Sequence, residues 1–448
     1  MYKPSSLCSL EQERHQMRLA APVLSGYLLR KEAWDRGTSS RQTMGNPPVV
    51  CRDPVVQNAL FPSDLVIQPQ GGAMRWRANG KVSGLWSLTY EQELTTPLHI
   101  TAGRGFTECL RHLLLRGARV DLAPGGTTAL HEACEECQPE CVKLLLQHGA
   151  NPNATNEDGQ MPLHVCTELD SLECAKHLLA FGALISAQSL DDNDTPLHVA
   201  ARHGLPDHME LYLRHGAALN LQNDEGNTAL NAACSQPQDC RSLERYSRVC
   251  HMLVSAGADI HISDVDKQTP LHKACKNAIP DVVDLLLKYK ALVNEMDYGG
   301  DAPMHNILKV VAYKTDHEPE RIVQALLNYG SIRVWPGALP KVLKYCCTSP
   351  RTIEVLFNAY DRLKITEAWV ESVPPEVFQV RKLNAKNKHR EFYESLFALM
   401  QTPRSLQHLA RHRLRTFLQG RLHNVVPRLG LPTFLKNYLM LAFRDYMH

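Results

Sequence analysis

The segment "HEACEECQPEC" places His131, Cys134, Cys137 and Cys141 at a spacing from which imidazole and thiolates could close on one zinc ion. Such a site needs four ligands converging tetrahedrally. His131 and Cys134, however, have counterparts in His272 and Cys275 of "LHKAC", and Cys141 falls at an apolar helical position. The pattern therefore reads as core, with no metal ligand and no cofactor expected. Histidine also recurs at His99, His131, His164, His198, His272 and His305, which invites a general-base reading. Its recurrence at one place in a repeated motif argues instead for a hydrogen bond to backbone between neighbouring units. The chain shows no nucleophile elbow, no phosphate-cradling glycine loop and no HExxH helix, so no catalytic residue is expected.

Binding chemistry is concentrated near the C-terminus. In "SLQHLARHRLR", Leu406, Ala410 and Leu414 stand at i, i+4 and i+8, a narrow apolar stripe with a small residue in its middle. That shape suits a helix laid in a hydrophobic groove. Further on, "LGLPTFLKNYL" carries Leu431, Pro432, Leu435 and Tyr438, with Pro432 setting a helix start. Gly420 and Pro427 break the chain between the two. Three short helices cannot build a stable core alone. They must pack on what precedes them or await another protein. From Arg404 to Arg444 there are seven Arg, one Lys and no acidic residue. A nucleic-acid patch is one reading of this. The interleaving of Arg with Leu favours another, the solvated face of an amphipathic helix, open to an acidic protein partner.

The elements that position these residues span 448 positions, enough for two or three domains or one long array. A content of 44% hydrophobic and 21% charged residues is that of a folded, water-soluble chain. A net charge of +2 gives no global reason to expect nucleic acid or acidic lipid. The 14 cysteines fall mostly in apolar helical patterns, where free Cys is a small core residue. This implies a reducing compartment, cytoplasmic or nuclear, and makes the Asn153 and Asn193 sequons chance matches. No apolar run is long enough to span a bilayer. "RLAAPVLSGYLLRK" starts late and contains Pro22, against its being a signal peptide. Residues 1–50, rich in Ser, Arg, Gly and Pro, read as poorly ordered.

Self-similarity is the strongest signal. "TPLH" at Thr96 returns as "TALH" at Thr128, "MPLH" at Met161, "TPLH" at Thr195, "TALN" at Thr228, "TPLH" at Thr269 and "APMH" at Ala302. A Leu-rich helix and usually Gly-Ala follow each start. Thr supplies an N-cap, Pro fits the first helical position, and Gly supplies a left-handed C-cap. The pattern resembles the ankyrin repeat over about 96–331. It implies an all-α solenoid of helix pairs joined by β-hairpin fingers, seven repeats in all. Lys290 stands where a unit should have Gly, which predicts a looser or different turn. Insertions over 235–248 and 311–319 are expected to be loops at one edge. Residues 51–95 read as a degenerate capping repeat with a short helix and an aromatic run. Residues 332–401 read as a degenerate repeat, a helix pair within 338–360, and a helical connector.

Behind these repeats, "SLQHLARHRL" resembles an elongin-binding box and "LGLPTFLKNYL" the cullin box that follows it. Together, over 402–448, they resemble a three-helix SOCS box. The whole is similar to the ankyrin repeat and SOCS box family. The resemblance implies a non-catalytic substrate receptor of a cullin-RING ubiquitin ligase. Leu406, Ala410 and Leu414 would then bind elongin B–elongin C. Leu431, Pro432, Leu435 and Tyr438 would bind the cullin with its RING subunit. The fingers and first helices would hold an unidentified protein substrate, and neither nucleic acid nor membrane is implied as a partner. Two departures stand out: Ala410 where the family often has Cys, and Gly430 where Pro is frequent. The rival reading is an ankyrin scaffold or nuclear regulator whose C-terminal helices merely cap the solenoid.

Overall fold

The computed structural model describes residues 73–78, 86–91, 95–236, 242–361, 367–373, 388–398 and 404–442. Residues 1–50 lie outside the described residues. Of the expected capping repeat, the described part is an antiparallel strand pair, Ala73–Ala78 with Trp86–Glu91, in which Ala73 faces Glu91 and Ala78 faces Trp86. The aromatic run is thus a strand. Trp86, Leu88 and Tyr90 alternate with polar residues at period two, a β signal, and the short helix expected before this run lies outside the described residues.

The array begins with Pro97–Gly103 paired with Thr107–Leu115, and continues as Ala129–Glu135 with Pro139–Gln147. After a third unit come Pro196–His203 with Pro206–Arg214 and Ala229–Ser235 with Leu243–Ser255. Pro270–Lys276 with Pro280–Lys288 and Pro303–Val310 with Pro319–Asn328 complete it. First helices pack on first helices and second on second, so Leu98, Leu130, Leu163, Leu197, Leu230 and Leu271 join one continuous core. No unit could bury both faces alone.

The third unit departs from the expected pair. Residues 161–168 form turns, with only Leu172–Ala180 helical after a 3₁₀ turn at Leu169–Ser171. At the position of Ala133, Ala200, Ala233 and Ala274 this unit has Cys166, a poorer helix former than Ala. Leu163 and Cys166 are still buried, so the apolar anchors survive the lost helix.

Five of the six recurrent histidines each join two units. His131 Nε2 donates to Gln160 O at 3.0 Å in the next finger, while its Nδ1 meets the Thr128 hydroxyl at 2.8 Å. His99, His164, His198 and His272 reach Thr127, Asp194, Asn227 and Glu295 carbonyls at 2.9–3.0 Å in the same way. A carbonyl accepts only, so these rings carry their proton on Nε2. Burial lowers the pKa of all five. His305 caps its own helix through the Ala302 N–H but is exposed. At the fifth unit Asn231 takes the position, and its Nδ2 reaches Ile262 O at 3.1 Å.

Successive fingers are tight turns stitched by backbone. Asp224, Val265 and Tyr298 N–H groups donate to Asp192, Glu225 and Asp266 carbonyls, each at 3.0 Å. Lys290 makes the ordinary turn: its φ is 71°, and Ala291 N–H reaches Leu286 O at 3.0 Å, as Ala150 reaches Leu145 in the second unit. The corresponding glycines, Gly117, Gly149, Gly182, Gly216 and Gly257, would place a Cβ in open space. A side chain there meets nothing, and only the left-handed backbone is unfavourable, at roughly 1 kcal/mol.

The insertions are partly ordered. In the fifth unit, residues 237–241 lie outside the described residues, and the long helix Leu243–Ser255 follows. Tyr246 on it hydrogen-bonds Arg202 O at 2.8 Å and lies over Gly204, whose φ is 63° and where a Cβ would come within 3.1 Å of the ring. In the seventh, Thr315–His317 forms a 3₁₀ turn leading into Pro319–Asn328. An eighth pair, Leu339–Cys346 and Pro350–Phe357, follows as the Ser349-Pro350 joint implied. Beyond it, Trp369, Val373, Tyr393 and Leu396 join the main core, with the Trp369 ring 5.8 Å from that of Phe357.

Candidate functional site

The C-terminal helices are Leu406–Leu418, the single turn Leu422–Val425, and Thr433–Leu439. Ser405 caps the first by accepting from the His408 N–H at 3.2 Å. Their own core is small: Leu422, Val426 and Leu439, with Leu418, Leu431 and Met440 against it. Stability on that scale requires a further support. The ankyrin array provides it, through polar groups.

Arg411 and Arg415, expected on a solvated face, are buried. Arg415 donates to Asn328 Oδ1 at 2.8 Å, to Leu439 O at 2.6 Å and to Leu327 O at 3.4 Å. Leu327 and Asn328 end one helix and Leu439 ends another, so the guanidinium sits between two negative helix termini. Arg411 donates to Asn358 Oδ1 at 3.1 Å, beside the end of Pro350–Phe357, and lies 4.3 Å from the centre of the Tyr438 ring. His408 donates from Nε2 to Tyr360 O at 2.7 Å and accepts from Arg411 on Nδ1 at 2.8 Å. Burial pushes His408 down to about 4, helped by Arg404 and Arg411, and pushes Arg415 down to about 9, helped by Arg411 and Arg333. The helix carries these cations because unpaired C-terminal carbonyls of the array face it. The interleaved pattern gave two usable faces, and nothing local marks which one meets a neighbour.

The joint has a second half. Arg333 of the last finger contacts His412 Nε2 at 2.7 Å, and Tyr329 stacks on His423 at 3.8 Å between centroids. Gly420 and Gly330 touch backbone to backbone: a Cβ on Gly330 would lie 2.8 Å from Gly420 Cα. Gln324 and Asn328 amides donate to Met440 O at 3.0 and 2.9 Å.

With the polar face turned inward, the apolar stripe faces out. Leu406 is 85% exposed, Ala410 is exposed and Leu414 is 48% exposed. Phe417, three residues beyond Leu414, continues the stripe at 76% exposure, a member the i+4 count passed over. The second set is divided. Pro432 is exposed, Leu435 half-buried, Leu431 packs toward Leu422, Val426 and Leu439, and Tyr438 covers Arg411. Phe434, not among the residues assigned to the cullin end, is 68% exposed.

No group of His, Cys, Asp or Glu among the described residues could hold a metal ion. Cys134 and Cys141 are buried apart from any such group, with their thiols raised by burial. Ten described cysteines are free thiols, in keeping with the reading of most cysteines as free core residues, while Cys109 is disulfide-bonded. No described helix is long and apolar enough to cross a membrane.

Comparison with known proteins agrees with this layout. The ankyrin-repeat family model matches residues 78–156, 135–223, 163–243 and 242–335, and the SOCS box model matches 402–440. Human ankyrin repeat and SOCS box protein 16 is 39% identical over 419 residues, covering 90% of this chain and 89% of that protein. The chain belongs to the ankyrin repeat and SOCS box family. Human ankyrin repeat and SOCS box protein 10 is 49% identical over 384 residues, covering 84% of this chain and 80% of that one. For human ankyrin repeat and SOCS box protein 18 the identity is 44% over 399 residues, with 88% and 84% covered. The stretches "SGLWSLTYEQELTTPLHI" and "WPGALPKVLKYC" suggest this eighteenth member, yet its overall identity lies between those of the other two. The crystal structure of the human ASB11 ankyrin repeat domain covers 52% of this chain at 27% identity, with a TM-score of 0.44.

Proposed function

We propose that this family member is the substrate-recognition subunit of an elongin–cullin ubiquitin ligase and performs no chemistry itself. The observation that carries the reading is the inverted helix Leu406–Leu418. It docks on the array by His408, Arg411 and Arg415, and leaves Leu406, Ala410, Leu414 and Phe417 uncovered. A helix serving only as a cap would bury its leucines and expose its arginines. Elongin B–elongin C would take the free stripe, and a cullin with its RING subunit would reach the Leu431–Tyr438 end through Pro432 and Phe434. The array would hold the substrate near a charged conjugating enzyme, a proximity effect. Burying one such leucine is worth roughly 1.5–3 kcal/mol. Leu406→Asp should therefore abolish elongin capture and cullin capture with it, while thermal melting stays unchanged because the residue is exposed. Affinity purification scores each partner. Wild-type protein that recovers no elongin from a lysate containing it would sink the reading.

A further inference from the structure

The solvent face of the first helices changes sign along the array. In the second and third units the exposed residues there are Glu135, Glu136, Glu168 and Asp170. The position of Glu135 is taken by Arg202 in the fourth unit, Lys276 in the sixth and Lys309 in the seventh. The eighth unit's first helix presents Lys341, Lys344 and Tyr345 on one face, opposite its buried Leu339, Leu343 and Cys346. The helices bearing Lys276, Lys309 and Lys344 pack side by side, so these residues share one surface. Tyr313, three residues past the end of the helix that bears Lys309, is 86% exposed, and Tyr345, next to Lys344, is 60% exposed.

Four nearby acids are already engaged. Asp301 pairs with Lys309, and Asp281, Asp284 and Glu318 gather around Arg321 on the outer helix. Lys276, Lys341 and Lys344 carry no ion pair among the described residues. Unpaired ammonium groups together with exposed phenol rings on the same end of the array make a surface complementary to carboxylates interspersed with apolar side chains. Exposed aromatic rings at low entropic cost are the usual anchors of such contacts.

We propose that Lys276, Lys341 and Lys344, with Tyr313 and Tyr345, form the docking surface for an Asp/Glu-rich extended segment of the substrate protein. This rests on the reading that the array holds the substrate, and it adds the substrate's charge and the end of the array it occupies. The acidic second and third units would repel the same segment and so fix its position toward the box.

Fluorescence anisotropy with full-chain protein tests the assignment, using a fluorescein-labelled Glu/Tyr copolymer as probe. Binding is expected, weakening as salt rises. Lys341→Glu with Lys344→Glu should weaken it about tenfold, a change of about 1.4 kcal/mol. Tyr345→Ala should weaken it about threefold. Glu135→Lys with Glu136→Lys, at the far end, should cause no loss. All five positions are exposed, and unchanged thermal melting shows that each variant folds. Failure of the wild-type protein to bind the acidic copolymer overturns the proposal, as does binding that survives the double lysine reversal. Tighter binding of a Lys/Tyr copolymer or a single-stranded oligonucleotide at the same surface also overturns it. Elongin capture is scored on the same preparations and tests the ligase reading separately.

Discussion

The joints between repeats and the joint between array and box solve one problem in opposite ways. Between repeats, a neutral histidine bridges a helix cap and the next finger's carbonyl, inside an apolar seam. Between array and box, buried guanidinium groups donate to asparagine side chains at the ends of array helices and, from Arg415, to the Leu439 carbonyl that ends a box helix. The first device needs only the residues of one repeat and can be copied along the chain. The second joins residues 87 positions apart and works at one place. A seam of the first kind holds by area. One of the second kind holds by satisfying a few charges, so it is strong while complete and fails when one member is removed.

The largest effect expected from breaking the contrast is at Arg415. Arg415→Ala strips donors from three oxygens in a buried site, at a cost of about 3 kcal/mol. It should expose the box to limited proteolysis while leaving the array's melting transition in place. Loss of both together would show that the two parts unfold as one. His131→Ala, by contrast, removes one bridge of several, at about 1–2 kcal/mol, and should lower the array's melting temperature without exposing the box.

Acid should act on both joints in the same direction. The folded pKa of His408 is lowered to about 4 against about 6.5 when unfolded, so the unfolded state binds the proton first. Docking is fully stabilised above pH 6.5 and weakens as pH falls from there toward 4. The array histidines, lowered by burial, contribute with the same sign. His408→Gln keeps a donor for Tyr360 O and should flatten the pH dependence of box protection, with that of the array unchanged. A box that loses protection identically in both proteins between pH 6.5 and 4 would rule out His408 as the titrating group.

The smallest effect sharpens the view of the repeats as interchangeable. Lys290→Gly should stabilise the array by about 1 kcal/mol, because the turn is already left-handed and its Cβ site open. Chemical denaturation measures it, and a destabilised variant would mean that Lys290 makes a contact the turn depends on.

These joints also mark what the sequence disclosed. The repeat was legible because each unit states its own rules: Thr, Pro, His, a Leu stripe, then Gly. The helical spacing of Leu406, Ala410 and Leu414 was legible for the same local reason, and those residues share one exposed face. The roles of Arg411 and Arg415 were not legible, since the carbonyls that hold them end helices elsewhere in the chain. Cys166, where four other units have Ala, was only a faint local sign of the lost third helix, and the regular "MPLH" start outweighed it. The strand at Trp86–Glu91 carried its own period-two signal.

Asn231 has a consequence for how the array fails. It stands where its neighbours have histidine, makes one carbonyl contact, and leaves its buried Oδ1 with no hydrogen-bond partner. In a stack whose stability is nearly a sum of units and their contacts, one weak coupling divides the chain into two cooperative blocks. Under tension applied to its ends, or in mild denaturant, the solenoid should part at the fifth unit, with the C-terminal block and its box staying folded longest.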